Sequence, residues 1–154
     1  ATGRRARAST WNSRYIQLSS EHAIRTGVMQ VAEILVAEDE ADIAVILREI
    51  LDMAGHHVTL AIDGAMALEL LESNPLPDII LTDLKMPRMS GRRLVETLRS
   101  DPRTAALPVV LITGAIPNTD DFPPDGSYDY LIEKPFDIWD VVDTVDRLVG
   151  RRRS

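Results

Sequence analysis

Residues 33–64, EILVAEDEADIAVILREILDMAGHHVTLAIDG, decide the fold. The stretch opens on a short apolar run, Ile34 to Ala37, passes the acids Glu38, Asp39 and Glu40, and then changes period. Ile43, Ile46, Leu47, Ile50, Leu51 and Ala54 recur at i, i+3, i+4, i+7, i+8 and i+11, the spacing of one helix face. Gly55 follows as a left-handed helix stop. A second short apolar run, Val58 to Ala61, then reads as a strand.

The alternation continues outward from that stretch. Ile79 to Thr82, Val109 to Thr113 and Tyr130 to Ile132 read as further strands. Ala65, Leu68 and Leu71 mark a helix starting after Asp63 and Gly64, and Leu94, Val95 and Leu98 mark one starting near Ser90. Ile138, Val141, Val142, Val145, Leu148 and Val149 mark the last helix. Strands alternating with helices, the inner strands apolar on both faces, imply a parallel sheet covered on both sides, a three-layer α/β sandwich. One connection departs from the pattern: GAIPNTDDFPPDGSYD, residues 114–129, carries Pro117, Pro123 and Pro124 and cannot hold a long regular helix. A loop with at most one helical turn is expected there.

The 154 residues are enough for one compact domain, with 45% hydrophobic and 27% charged residues. No run is long and apolar enough for a membrane helix, and the absence of cysteine excludes disulfides and thiolate chemistry and fits a reducing, cytoplasmic setting. Charge is unevenly placed. Residues 1–32 carry five arginines against Glu21 alone and read as a basic, disordered extension without the apolar block of a secretory signal. Residues 33–150 form the domain and hold nine basic against 23 acidic residues, so no nucleic acid is expected to bind it. Residues 151–154, with Arg151, Arg152 and Arg153, read as a basic tail.

In open α/β sheets, ligands bind outside the carboxyl ends of the strands. The first strand runs into Glu38 and Asp39, the third into Asp83, the fourth into Thr113 and the fifth into Lys134. Three carboxylates crowded on one rim raise one another's proton affinity unless a cation sits between them. Oxygen ligands without His or Cys favour a hard ion such as Mg²⁺. With that ion and Lys134 facing phosphoryl oxygens and Thr113 donating a hydrogen bond, Asp83 becomes a nucleophile on phosphorus.

These residues resemble the receiver domain of two-component response regulators. The resemblance covers residues 33–149 and rests on LVAEDE (35–40), DIILTDLKMPRMSG (78–91), PVVLITGA (108–115) and EKPFD (133–137). Asp39 to Asp83 is 44 residues, Asp83 to Thr113 is 30, and Thr113 to Lys134 is 21, spacings that also match. It implies a flavodoxin-like sheet of five parallel strands in the order 2-1-3-4-5. It implies Asp83 as phosphoacceptor, with Glu38, Asp39, Asp83 and the backbone carbonyl of Lys85 around Mg²⁺, Thr113 as switch hydroxyl and Lys134 as phosphate-pairing cation. A cis Lys134 to Pro135 bond is implied as well. The phosphoryl donor would be a histidine kinase or a histidine phosphotransfer protein.

Two departures stand out. The aromatic residue that relatives carry three places before the lysine is replaced by Leu131, with Tyr130 one place further back. The proline-laden stretch takes the place of the usual fourth helix, part of the output surface in relatives. The side chains that tune hydrolysis in the family correspond to Lys85 and Ala115, neither suited to position water, so slow dephosphorylation is expected.

Each residue also has a plainer reading. Glu38 and Asp39 could cap the following helix, Asp83 could be a turn former, and Lys134 could be a solvated cation; their joint spacing favours the site. His56 and His57 point to opposite faces of a strand start and read as surface or edge residues. Met86 and Met89 read as packing, and Trp139 as core rim or docking contact. The expected protein is a stand-alone receiver without enzymatic turnover, acting through an unknown downstream protein and not at a membrane. The rival readings are an interaction module that is never phosphorylated and a phosphatase using an aspartyl phosphate.

Overall fold

The computed structural model describes residues 31–117 and 119–153. The elements follow as β1 (Glu33–Ala37), α1 (Ala41–Met53), β2 (His57–Ala61), α2 (Gly64–Ser73), β3 (Ile79–Thr82), α3 (Gly91–Ser100), β4 (Val109–Thr113), β5 (Tyr130–Glu133) and α4 (Ile138–Arg153). The five strands are all parallel in the order β2-β1-β3-β4-β5, as expected. Among the described residues, no helix is long and apolar enough to cross a membrane.

Strand alternation sorts the sheet's side chains between two cores. Ile34, Val36, Ile79, Leu81, Val110, Ile112 and Ile132 face α1 and α4 and pack on Leu47, Leu51, Val141 and Val145. Leu35, Ala37, Ile80, Val109 and Leu111 face α2 and α3 and pack on Ala67, Leu71, Leu94, Val95 and Leu98. Each fully buried Leu or Ile contributes about 1.5–3 kcal/mol relative to exposure. The domain begins one residue earlier than the strand pattern indicates, because Ala32 is completely buried in the first core.

Helix starts follow side-chain chemistry. Asp63 Oδ1 accepts from the Met66 N–H at 2.8 Å to cap α2, and Ser90 Oγ accepts from Arg93 N–H at 3.2 Å to cap α3. In α1 the buried residues are Ala44, Leu47, Ile50 and Leu51, while Ile46, expected in the stripe, is 46% exposed. The apolar arc is centred one position further round than the periodicity places it.

Two readings need correction. The arginines at the C-terminus do not form a separate tail: α4 continues through Arg153, and Arg152 Nη1 donates to the Asp78 carbonyl at 3.2 Å. Cations are favoured at a helix C-terminus, where the carbonyls carry negative partial charge. His56 is 4% exposed and not a surface residue. Its Nδ1 accepts from the Ala32 N–H at 3.0 Å, so Nε2 carries the proton and donates to Asp146 Oδ1 at 2.8 Å. His57 stays outside, 2.9 Å from Glu33 Oε1. Trp139 is part of the core rim, packed with Phe136 against Ile50 and Val142. The basic extension expected over residues 1–32 falls, up to residue 30, outside the described residues, as does Ser154.

No helix forms between β4 and β5 among the described residues. Phe122, 7% exposed, fills the place of a helix with Tyr128, their rings edge to face at 6.4 Å against the second core. Arginines of α3 hold the segment from one side. Arg99 donates to the Ser127, Ala105 and Leu107 carbonyls at 2.7, 2.8 and 2.7 Å, and Arg92 donates to the Asp120 carbonyl.

Candidate functional site

Register decides which acids meet. Ala37 on β1 lies level with Thr82 on β3, so the next residues, Glu38 and Asp83, leave the sheet side by side. The Asp83 N–H donates to the Ala37 carbonyl at 3.0 Å, continuing the ladder to the rim. Glu38 is 3% exposed and Asp83 6%, whereas Asp39 faces solvent. One carboxylate oxygen from each of Glu38, Asp39 and Asp83 lies within 4.8 Å of the other two.

Lys134 closes the site from β5. Its Nζ donates to Asp83 Oδ2 at 2.7 Å and to Glu38 Oε2 at 2.9 Å, and Glu40 Oε1 lies 3.9 Å away. Burial pushes the Glu38 carboxyl above the ordinary range, against the lowering effect of the Lys134 hydrogen bond. Burial alone would depress the Lys134 ammonium, but the hydrogen bonds to Asp83 and Glu38 outweigh it and raise its pKa. One ammonium therefore faces four acids, counting Glu40, and the negative excess suits a second cation.

The remaining expected residues are placed as follows. Thr113 ends β4, 2% exposed, and its Oγ1 accepts from the Ala115 N–H at 3.1 Å. The Lys134 N–H donates to the Thr113 carbonyl at 3.0 Å, which joins hydroxyl and ammonium in one ladder step, and the Lys134–Pro135 bond is cis. The Lys85 side chain points to solvent and pairs with Asp121 at 3.7 Å. A cleft of about 470 Å³ opens beside these groups, lined by Asp39, Lys85, Met86, Ser90, Arg92 and Asp121.

The displaced aromatic is resolved by strand alternation. Tyr130 packs against the first core, with Arg147 of α4 4.8 Å from its ring centroid. Leu131 lies on the opposite face, the one that carries Phe122 and Ala115. No rotation of Tyr130 within its strand brings it to that face.

Three contributors escaped sequence reasoning. Glu40 stands in the EDE run, of which the strand-end pattern singles out only Glu38 and Asp39. Gly91 is required by contact: a Cβ there would lie 1.9 Å from the Asp83 carbonyl oxygen. Arg88 donates from Nε and Nη2 to Asp63 Oδ2 and Oδ1 at 2.6 and 3.1 Å, with a backbone φ of 61°. The local sequence MPRMSG gives no signal for a partner 25 residues earlier.

The donor set, carboxylate oxygens with no imidazole or thiolate, fits a hard divalent ion such as Mg²⁺. Comparison with known proteins agrees with the geometry. The family described as "Response regulator receiver domain" matches residues 34–146. The transcriptional regulator RpaA of Synechocystis is 36% identical over 77% of this chain and 49% of its own length. The receiver protein CpdR of Brucella abortus is 34% identical over 75% of this chain and 95% of its own. The chain thus spans about half of the first of these relatives and nearly all of the second. A receiver domain of a histidine kinase from Syntrophus aciditrophicus superposes with a TM-score of 0.72 at 30% identity, covering 78% of this chain and 91% of that one. Chemotaxis regulator CheY4 of Vibrio cholerae, at 23% identity and a TM-score of 0.66, shares the fold over 77% of this chain and 99% of its own. On the strength of sequence, topology and rim, the chain belongs to the response regulator receiver domain family.

Proposed function

We propose that Asp83 is the phosphoacceptor of a switch charged by a histidine kinase or a histidine phosphotransfer protein. The observation that carries this is the Lys134 ammonium set between two buried carboxylates, with an oxygen of Asp39 within 4.8 Å of both. Glu38, Asp39, Asp83 and the Lys85 carbonyl would hold Mg²⁺, which supplies charge neutralisation for the transferred phosphoryl oxygens when bound.

An Asp83 carboxylate oxygen attacks phosphorus, the phosphorus–nitrogen bond of the donor phosphohistidine breaks, and the released imidazole takes a proton from solvent. Lys134 is already aimed at the Asp83 carboxyl and pairs with the new phosphoryl group as it forms. Thr113 exchanges its bond to the Ala115 N–H for one to the phosphoryl oxygen, and its loop follows as a population shift. Water attack on phosphorus returns the carboxylate and free phosphate. Lys85 is drawn outward by Asp121 and the Ala115 side chain offers no polar atom, so this return is slow; a lifetime of seconds in Mg²⁺ would contradict it.

A phosphatase reading would need an acid or base two residues after the nucleophile, where Lys85 stands instead. The acidic body favours output by protein binding over nucleic acid, and the setting is the cytoplasm, where such donors work. Acetyl phosphate labelling with Mg²⁺, read by intact mass, tests the assignment. The wild type gains one phosphate and Asp83→Asn none; labelling of the variant, or no labelling of either, would refute it.

A further inference from the structure

We propose that Arg88 and Asp63 form a clamp that holds the loop after β3 so that the Lys85 carbonyl meets the metal, making both of them positioning residues for ion binding. The inference rests on the reading of the rim given above and deepens it. Arg88, exposed over 57% of its side chain, has no core packing to place it. Yet its φ of 61° lies in the left-handed region, which a non-glycine residue keeps only when its surroundings enforce it. The Met89 N–H donates to the Pro87 carbonyl at 2.7 Å and closes a γ-turn about Arg88, and the two-pronged bond to Asp63 ties the side chain of that turn down. Both guanidinium donors meet both carboxylate oxygens, an arrangement that fixes orientation as well as distance. Asp63 itself cannot yield, since its side chain is 1% exposed and also caps α2.

The clamp acts on a loop already fastened at its far end. The Gly64 N–H donates to the Met89 carbonyl at 3.1 Å, and the Gly91 N–H donates to the Leu84 carbonyl at 2.8 Å. A Cβ at Gly64 would stand 2.8 Å from the Met89 carbonyl oxygen, so the loop and the start of α2 are in direct contact. Arg88 adds a charged side-chain tie to the Met89 contacts between this loop and the start of α2, and Lys85 lies three residues before it. The hydrogen bond from Arg88 holds the Asp63 carboxyl below the usual carboxylate range, which keeps the clamp charged. Partners that orient a ligand without touching the metal typically change its affinity by about tenfold or more.

Calorimetric titration of the whole chain with Mg²⁺ separates positioning from plain stability. Asp63→Ser keeps a helix cap and loses the fork, and Arg88→Gly accepts the left-handed backbone without strain. Each is expected to weaken Mg²⁺ about tenfold, and the double variant no further than the weaker single, as members of one unit behave. Val145→Ala, in the core on the other side of the sheet, serves as the destabilised control and is expected to bind as the wild type does. Variants that bind Mg²⁺ within twofold of wild type, or a control weakened equally, would overturn the clamp. A wild type without affinity for Mg²⁺ would instead overturn the reading of the rim.

Discussion

Replacing Lys134 by Met removes the cation of the rim and leaves Glu38 and Asp83 facing each other. At 2.7 and 2.9 Å and an effective dielectric constant of about 20, each ion pair is worth about 6 kcal/mol before desolvation. Most of that offsets the burial of three charges, and removing one partner of a buried pair typically costs about 3–5 kcal/mol. The Lys134 side chain keeps 15% exposure and the site sits at the sheet's rim, so the lower end, about 3 kcal/mol, applies. With a denaturant slope of about 1–3 kcal/mol per molar, the urea midpoint in chelator should fall by about 1 M or more. Mg²⁺ should then stabilise the variant more than the wild type, because ion and ammonium neutralise the same oxygens. Binding at a hundredfold excess over Kd contributes about 2.7 kcal/mol. Urea denaturation in chelator and in Mg²⁺ measures both halves. A midpoint within about 0.3 M of wild type in chelator, or a deficit that Mg²⁺ leaves unchanged, would refute the reasoning.

Other outcomes follow from contacts already described. In Gly91→Ala the new carbon must clear a backbone oxygen 1.9 Å away, a shift expected to cost about 2–3 kcal/mol. By displacing Asp83 it should also slow acetyl phosphate labelling on the order of a hundredfold, measured by mass spectrometry. The Asp63 carboxyl is held low, first by Arg88 and then by the Met66 N–H, so its stabilisation is fully present above the unfolded pKa of about 4 and is lost as pH falls through the folded value. The stability gap between wild type and Asp63→Ser should therefore narrow from about pH 6 to about pH 3 in denaturant titrations. Tyr130→Phe should label at the wild-type rate and respond to beryllofluoride as the wild type does, because the ring lies on the α4 side of the sheet; a blunted spectral change would contradict that placement.

The strands were readable as short apolar runs and the helices as one-sided apolar stripes. Val109 to Thr113 is apolar on both faces, and Leu94, Val95 and Leu98 lie on one face of a helix. Strand ends then carried Glu38, Asp83 and Lys134 to one rim, since parallel strands end together. What stayed hidden depends on contacts between distant residues. His56 is held inside by Ala32 and Asp146, 24 and 90 residues away, and a periodic pattern has no term for such satisfaction. The extent of α4 is hidden because three consecutive arginines have the composition of a tail, while the helix end they extend favours cations. Ile46 shows the limit of periodicity itself: a neighbour at the edge of the arc, Ala44, took the buried place.

The crossover between β4 and β5 has a consequence for how this surface changes over time. A helix there would be cooperative, so an altered residue would be felt along whole turns. Here a few guanidinium bonds and two aromatic rings carry the attachment, and they sit on α3 and in the core. The outer side chains, such as Ile116 at 74% exposure, take no part in those anchors. New recognition chemistry can accumulate at that tip by single substitutions while the sheet and its acidic rim remain untouched.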